Sequence, residues 1–327
     1  VVWWYNQIPK TQIAFAPHKV IPAHRQNPVV YLAFSPDGRL LATRGEADRT
    51  VKVWRVRDGQ LAYAIIITPT QPQPVHFTFS PDGVFLAIGY ADGAVRIFSG
   101  ADGKPKRTFR YKARLNWLGR IVFSPDGKWL AQTWDDLFSS NLTSIHCVLV
   151  WEVASGKLVR VLTNPSWAIG IAFSPDGKHL AVVRQDFSKG STHLLVDLWD
   201  THSWQKQTLD FASLLPLPLS GFHYTTVAFA SDRQSLSVPI PWVGKVFVLR
   251  LRSQQVERVF EVPDFPYALH PASGVNWYHK STFAAQNDML ATVKVRGLAW
   301  WIYRATFLPL PSRFKRQLER LLMQTLH

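Results

Sequence analysis

Short runs of alternating apolar and polar positions follow one another along this chain, and they return in a fixed order. A run such as VVYLAF (29–34) or AIGIAF (168–173) comes first. Ser-Pro-Asp-Gly then turns the chain into a second run such as LLAT (40–43). Pro presets φ for such a turn, Asp bonds the backbone ahead of it, and Gly takes the φ > 0 position. Third runs follow at VKVWRV (51–56), AVRIFS (94–99), VLVWEV (148–153), LVDLWD (195–200), KVFVLR (245–250) and LAWWIY (298–303). A fourth follows another turn, as in QLAYAII, PKRTFRY (105–111) and KLVRVLT (157–163). Period-two alternation bounded by turn residues predicts strands, four to a unit. Helical periodicity does not compete before residue 312.

The units form one repeat. FSPDGRLLA (34–42), FSPDGVFLA (79–87), FSPDGKWLA (123–131) and FSPDGKHLA (173–181) are near-identical, and FASDRQSLS (229–237) and FAAQNDMLA (283–291) are weaker copies. Their Phe anchors at 34, 79, 123, 173, 229 and 283 are spaced by 45, 44, 50, 56 and 54 residues. Four strands repeated at such a period describe an all-β fold, a β-propeller of four-stranded blades. Six hairpins predict six blades. The ring closes if QIAFAPHKV (12–20) supplies the outer strand of the last blade. VVWWYN at the start then reads as a second copy of a third strand beside LAWWIY, which keeps seven blades as the alternative. The expected division is a propeller over 1–307 and a basic amphipathic C-terminal helix over 308–327.

Units such as FSPDGRLLATRGEADRTVKVWRV (34–56) resemble the WD-repeat family, in the SPDG-rich style frequent among its bacterial members. The resemblance covers roughly residues 12–305. The family's Asp six residues before the Trp is matched by Asp48 before Trp54, and its upstream His by His24. The resemblance implies that these residues are a buried, hydrogen-bonded set that fixes loops. Asp92 precedes Phe98 instead of a Trp, so the set decays in the second unit. What the resemblance implies for function is a non-catalytic scaffold for protein–protein interaction, a subunit of a larger assembly.

Charge adds a second class of partner. Lys and Arg number 37 against 22 Asp and Glu, a net +15. Such a chain attracts polyanions: an acidic partner protein, nucleic acid or anionic lipid. A nucleic-acid-binding propeller is therefore the alternative function. One cysteine, Cys147, excludes an intrachain disulfide and a Cys-based zinc site, and its strand context makes it core. No apolar run approaches the roughly 20 residues of a membrane helix, and the first residues do not read as a signal peptide. A cytoplasmic protein is expected. No GxxxxGK[ST], GxSxG, HExxH or GxGxxG pattern occurs. No enzyme, metal or cofactor is expected, and the repeated Asp37, Asp82, Asp126 and Asp176 read as turn formers.

Three segments are candidate partner surfaces. KPKRTFRYKAR (104–114) interleaves Lys104, Lys106, Arg107, Arg110, Lys112 and Arg114 with Phe109 and Tyr111. On a strand, Lys106, Arg110 and Lys112 share one face, and Arg107, Phe109 and Tyr111 the other. Cations beside aromatics suit phosphates and bases, and cations on an outer strand also prevent edge-to-edge association. The inserts WDDLFSSNLTSIH (134–146) and RQDFSKGSTHL (184–194) lengthen equivalent loops of neighbouring units. They predict a partner-binding lip with Trp134, Asp135, Asp136, Phe138, Asp186 and Phe187. In the tail, Pro311 and Ser312 start the predicted helix, and Phe314, Leu318, Leu321 and Leu322 form its apolar stripe. Arg313, Lys315, Arg316 and Arg320 against Glu319 make it basic. It packs on the propeller, docks in a partner, or associates weakly with a membrane surface.

Overall fold

The computed structural model describes residues 19–21, 23–24, 29–45, 49–111, 117–136, 145–164, 166, 168–186, 193–211, 227–229, 234–240, 245–261, 284–286, 289–293 and 305–309. Residues 1–18 and 310–327 lie outside the described residues, and with them VVWWYN and the expected C-terminal helix.

Every described element is a strand, and the strands form four-stranded antiparallel sheets, as propeller blades require. The first sheet is β2 (Val29–Phe34), β3 (Leu40–Gly45), β4 (Thr50–Arg55) and β5 (Leu61–Ile66). The second is β6 (Pro74–Phe79), β7 (Phe85–Tyr90), β8 (Val95–Ser99) and β9 (Pro105–Phe109). The third is β10 (Trp117–Phe123), β11 (Trp129–Asp136), β12 (Ile145–Glu152) and β13 (Leu158–Asn164). The fourth is β14 (Ala168–Phe173), β15 (His179–Asp186), β16 (His193–Asp200) and β17 (Lys206–Asp210). The fifth is β18 (Ala228–Phe229), β19 (Ser235–Ile240), β20 (Lys245–Arg250) and β21 (Gln255–Glu261). The last sheet joins the two ends of the chain: β22 (Ala284–Gln286), β23 (Met289–Val293), β24 (Ala305–Pro309) and, outermost, β1 (Lys19–Ile21).

The third strand of that last sheet departs from the sequence expectation. LAWWIY (298–303) was the expected segment, but β24 occupies the position. Two apolar runs lie side by side there, and alternation alone does not choose between them. β24 holds the place by pairing on both edges, Leu290↔Leu308 with β23 and Val20↔Thr306 with β1. It runs two residues beyond the expected boundary at 307. The N-terminal closing strand is displaced less: β1 uses the end of QIAFAPHKV and Ile21.

First strands touch in the order β22, β2, β6, β10, β14, β18, so the last sheet lies against the first. The register explains why the repeat reads as it does. In the first, third and fourth units the Phe anchor, a Leu and a Trp lie across strands one to three: Phe34↔Leu41↔Trp54, Phe123↔Leu130↔Trp151 and Phe173↔Leu180↔Trp199; Phe98 and Leu249 take the Trp place in the second and fifth. This large row packs against the preceding sheet. The Ala after the Leu faces the next one: Leu86 joins the core shared with the first sheet, and Ala87 the core shared with the third. Large rows on one sheet thus meet small rows on the next, the complementarity that close packing needs. The core is therefore a set of layers between blades and not one central mass.

Candidate functional site

The ring of Asp residues is structural, and its partner is a residue the sequence reading passed over. Ser35 Oγ donates to Asp37 Oδ1 at 2.6 Å, Arg39 N donates to the same oxygen at 3.0 Å, and Leu40 N donates to Ser35 Oγ at 2.9 Å. The pattern recurs at Ser80, Ser124 and Ser174, all buried. The Ser35 hydroxyl holds the Asp37 carboxyl below the usual carboxylate range, aided by the Arg39 amide and guanidinium. Successive turns also stack, with the Pro of one beside the Gly of the next: Pro36 at Gly83, Pro81 at Gly127, Pro125 at Gly177.

The tryptophans of the third strands report on a second device. Trp54 Nε1–H donates to Thr43 Oγ1 at 2.8 Å, and His24 Nε2 meets the same oxygen at 2.9 Å. His24 thus takes the place the family resemblance gives it, while Asp48 lies outside the described residues. Thr43 is the member sequence reasoning missed. At the equivalent position of the third sheet, Gln132 Oε1 accepts from Trp151 Nε1 at 3.0 Å. In the second sheet the third-strand residue is Phe98, which has no N–H, and the equivalent position is Ile88. The fourth sheet departs from this pairing: the position equivalent to Thr43 is Val182, and the buried Trp199 Nε1–H has no hydrogen-bond partner among the described residues. Asp92 is not lost function: it pairs with Arg110 at 2.9 Å and caps Ala94 N at 3.2 Å.

Two further polar groups are buried between sheets. Tyr31, His76 and Arg120 stand three residues before successive Phe anchors, at or beside bulges in the first strands. Their rings and guanidinium converge from three sheets: Tyr31 to His76 is 4.3 Å between centroids, and Arg120 lies 5.7 Å from the Tyr31 ring. Burial pushes the Tyr31 hydroxyl up, and Arg120 opposes that. Each is less than a tenth exposed, so the group is a packed polar core and offers no open substrate site. In the fourth sheet Arg184 Nε meets Asp197 Oδ2 at 2.9 Å, with both side chains nearly inaccessible, and Thr208 Oγ1 donates to Asp197 Oδ1 at 2.6 Å.

The basic strand is largely spent on its own blade and the next. Lys104 pairs with Asp102 at 3.1 Å, Arg110 pairs with Asp92, and Arg107 donates to the carbonyls of Val153 and Ala154. Phe109 is buried on Trp151 at 5.5 Å, and Tyr111 meets Trp134 edge-on at 5.3 Å. The alternation is therefore as read: Arg107, Phe109 and Tyr111 face the third sheet. Lys106 is exposed, and Lys112 and Arg114 lie outside the described residues. The same device joins the first sheet to the second, where Tyr63 donates to Gly100 O at 2.7 Å and covers Gly103.

The two inserts crown adjacent hairpins. β11 and β12 pair over eight residues, as do β15 and β16, where β3–β4 and β7–β8 pair over five. At about 3.4 Å per residue the extra rungs raise these hairpins by about 10 Å on the face opposite the SPDG turns. Asp135, Asp136 and Asp186 sit in the raised rungs. Trp134 does not line the lip: it is 1% exposed and packs in the core between the second and third sheets. Burial of so large an apolar ring is favoured over solvent exposure. Cys147, opposite it, is buried as expected. Phe138 and Phe187 lie outside the described residues, as do Arg313, Phe314, Lys315, Arg316, Leu318 and Arg320. Among the described residues no three His, Cys, Asp or Glu gather to hold a metal ion, and no helix is long and apolar enough to cross a membrane.

Comparison with known proteins agrees with this architecture. The family model for the WD domain, G-beta repeat, matches residues 15–55 and 68–99. An uncharacterized WD repeat-containing protein of Synechocystis is 34% identical over 125 residues, 37% of this chain and 34% of that protein. The periodic tryptophan protein 2 homolog of Dictyostelium discoideum is 29% identical over 137 residues, 41% of this chain and 13% of that protein. The chain thus aligns with about a third or less of the length of these relatives.

Proposed function

We propose that this chain, which belongs to the WD-repeat family, is a non-catalytic scaffold of six blades whose raised hairpins on the third and fourth blades seat a partner protein within a larger assembly. Proteins of this family generally mediate protein–protein interaction. The observation that carries the reading is the pair of neighbouring eight-residue ladders standing about 10 Å proud of a ring otherwise built from shorter ones. Longer loops on a rigid scaffold are where binding residues concentrate. Polar residues elsewhere are engaged within the fold: the turn carboxylates hold their own hairpins, Thr43 and Gln132 hold indoles, and Arg107 reaches the next sheet. With a single buried cysteine, the cytoplasm is the compartment proposed.

The test is a tagged full chain purified from its native source, beside a variant with 137–144 and 187–192 each replaced by a short Gly-Ser turn. The reading expects partners that co-elute stoichiometrically with the wild type and are lost from a variant that melts at the same temperature. Full retention of partners by the shortened variant overturns it. Strong RNA or DNA binding that falls steeply with salt, and that Lys106→Ala weakens, would favour nucleic acid instead.

A further inference from the structure

Each sheet ends in an outer strand whose far edge pairs with no other described strand. Such an edge is a template for a further strand, and folded proteins commonly blunt it with charge. Most of the described outer strands carry that protection, with Lys19 in β1, Lys106 in β9, Arg160 in β13, Lys206 in β17 and Arg258 in β21. The remaining one, β5, reads Leu-Ala-Tyr-Ala-Ile-Ile and has neither a charged residue nor a proline. It also exposes two large apolar side chains, Leu61 at 45% and Ile66 at 74%. On β13 and β21 the exposed valines, Val161 and Val259, each directly follow an Arg.

β5 is held from behind. Tyr63 donates to Gly100 O at 2.7 Å, and Ile65 is buried in the core shared with the second sheet. By alternation Ala64 and Ile66 take the opposite side, where both are exposed. The backbone alternates as well. Ile67 N donates inward to Arg49 O at 3.0 Å, so the N–H and C=O groups of Ala64 and Ile66 point to the open edge. Regular pairing of Tyr63, Ala64, Ile65 and Ile66 with β4 holds those groups at strand spacing.

The edge matches its own copy. Two β5 strands placed antiparallel about Ile65 bring Ala64 of each opposite Ile66 of the other. Both members of such a pair point their N–H and C=O groups outward, so each pair exchanges two backbone bonds. On the exposed side a small apolar group then meets a large one. Any other described outer strand would bring a Lys or an Arg to this edge. The two-fold arrangement uses both edges and stops at two copies, where a head-to-tail contact would grow.

We propose that the open edge of β5 pairs with β5 of a second copy of this chain to form a two-fold dimer. The edge belongs to the first sheet and not to the raised hairpins, so its test is independent of the scaffold reading. Each copy carries a net +15, so repulsion opposes pairing and screening favours it. Sedimentation velocity of the full chain should show a monomer–dimer equilibrium that tightens at least about threefold between about 50 and about 500 mM salt. For so small an interface the dissociation constant should be on the order of 10–100 µM. Deuterium exchange over 60–68 should slow as concentration rises. Ala64→Lys and Ile66→Glu, at exposed positions, should each melt as the wild-type monomer does and weaken dimerisation by about tenfold or more. Mixed, the two variants set Lys opposite Glu, and should associate about tenfold more tightly than either alone. Val161→Lys and the chain with shortened inserts should dimerise as the wild type does. A wild type that stays monomeric at about 500 µM in high salt, a dimer that survives Ala64→Lys, a mixture that associates no better than its parts, or growth into larger species overturns the proposal. Protection of 60–68 by a co-purifying partner, with the isolated chain monomeric, overturns it too and assigns the edge to that partner.

Discussion

Replacing Thr43 by Val exchanges a hydroxyl for a methyl at nearly constant volume in a position with no exposed surface. The backbone and the core around it have little reason to move. What disappears is the oxygen that accepts from Trp54 Nε1 at 2.8 Å and meets His24 Nε2 at 2.9 Å. His24 is 1% and Trp54 9% exposed, so water does not readily replace it. A buried group left without its partner costs about 1–3 kcal/mol, and two such groups put the loss at about 2–4 kcal/mol. At about 2.1 cal/mol/K per residue, a chain of this length melts with an entropy of about 0.7 kcal/mol/K. Thr43→Val should therefore lower the melting temperature by about 3–6 °C in scanning calorimetry. Trp54→Phe removes the donor, as Phe98 beside Ile88 does in the second sheet. The double variant should be about 1–2 kcal/mol more stable than the two single losses summed, since the two residues share one bond. A Thr43→Val protein melting within about 1 °C of wild type, or strict additivity in the cycle, refutes the reasoning.

Three more outcomes follow from the same structure. Asp197→Ala leaves Arg184 charged and buried, and should cost about 3–5 kcal/mol in urea unfolding; Arg184→Met with Asp197→Leu should recover much of it. Folded-state values are depressed at Asp37, through the Ser35 hydroxyl; at Asp126, where burial is outweighed by bonds from Ser124 and Lys128; and at Asp102, to about 2 through Ser99 and Lys104. The unfolded chain therefore binds more protons, so stability is present above the ordinary aspartate range and falls as the pH drops from about 4 towards 2; melting curves across that window should show the loss, and Ser35→Ala should flatten it. Gly103→Ala places a Cβ 2.5 Å from Tyr63 Cδ2 at a φ of +70°, and should destabilise by more than about 1 kcal/mol by the same melting measurement.

The architecture was legible because the repeat encodes a physical row. Phe, Leu and Trp recur since each blade must bury the same large face against its neighbour, and Ser-Pro-Asp-Gly recurs since each first hairpin needs the same turn. What varies between units was not legible. Tyr31, His76 and Arg120 share a position but no chemistry, so no pattern announced that they meet. Thr43 and Gln132 do one task with different groups, visible only once the register sets each opposite its indole. Trp134 read as lip because it opens an insert, yet its ring points into the blade interface. Arg107 and Arg110 read as a partner surface or as edge protection, and the groups they actually bond lie up to 47 residues away in sequence. In the last unit, two adjacent apolar runs fit the third strand equally by alternation, and only pairing with β1 and β23 selects β24.

The central claim is that partner binding belongs to the raised hairpins of the third and fourth blades. Hydrogen–deuterium exchange of the full chain, alone and with the partner that co-purifies with it, addresses that claim directly. The account predicts slowed exchange in 134–146 and 184–194 on complex formation, with the equivalent β3–β4 and β7–β8 hairpins unchanged. Protection confined to other segments, with both raised hairpins exchanging as in the free chain, would contradict it.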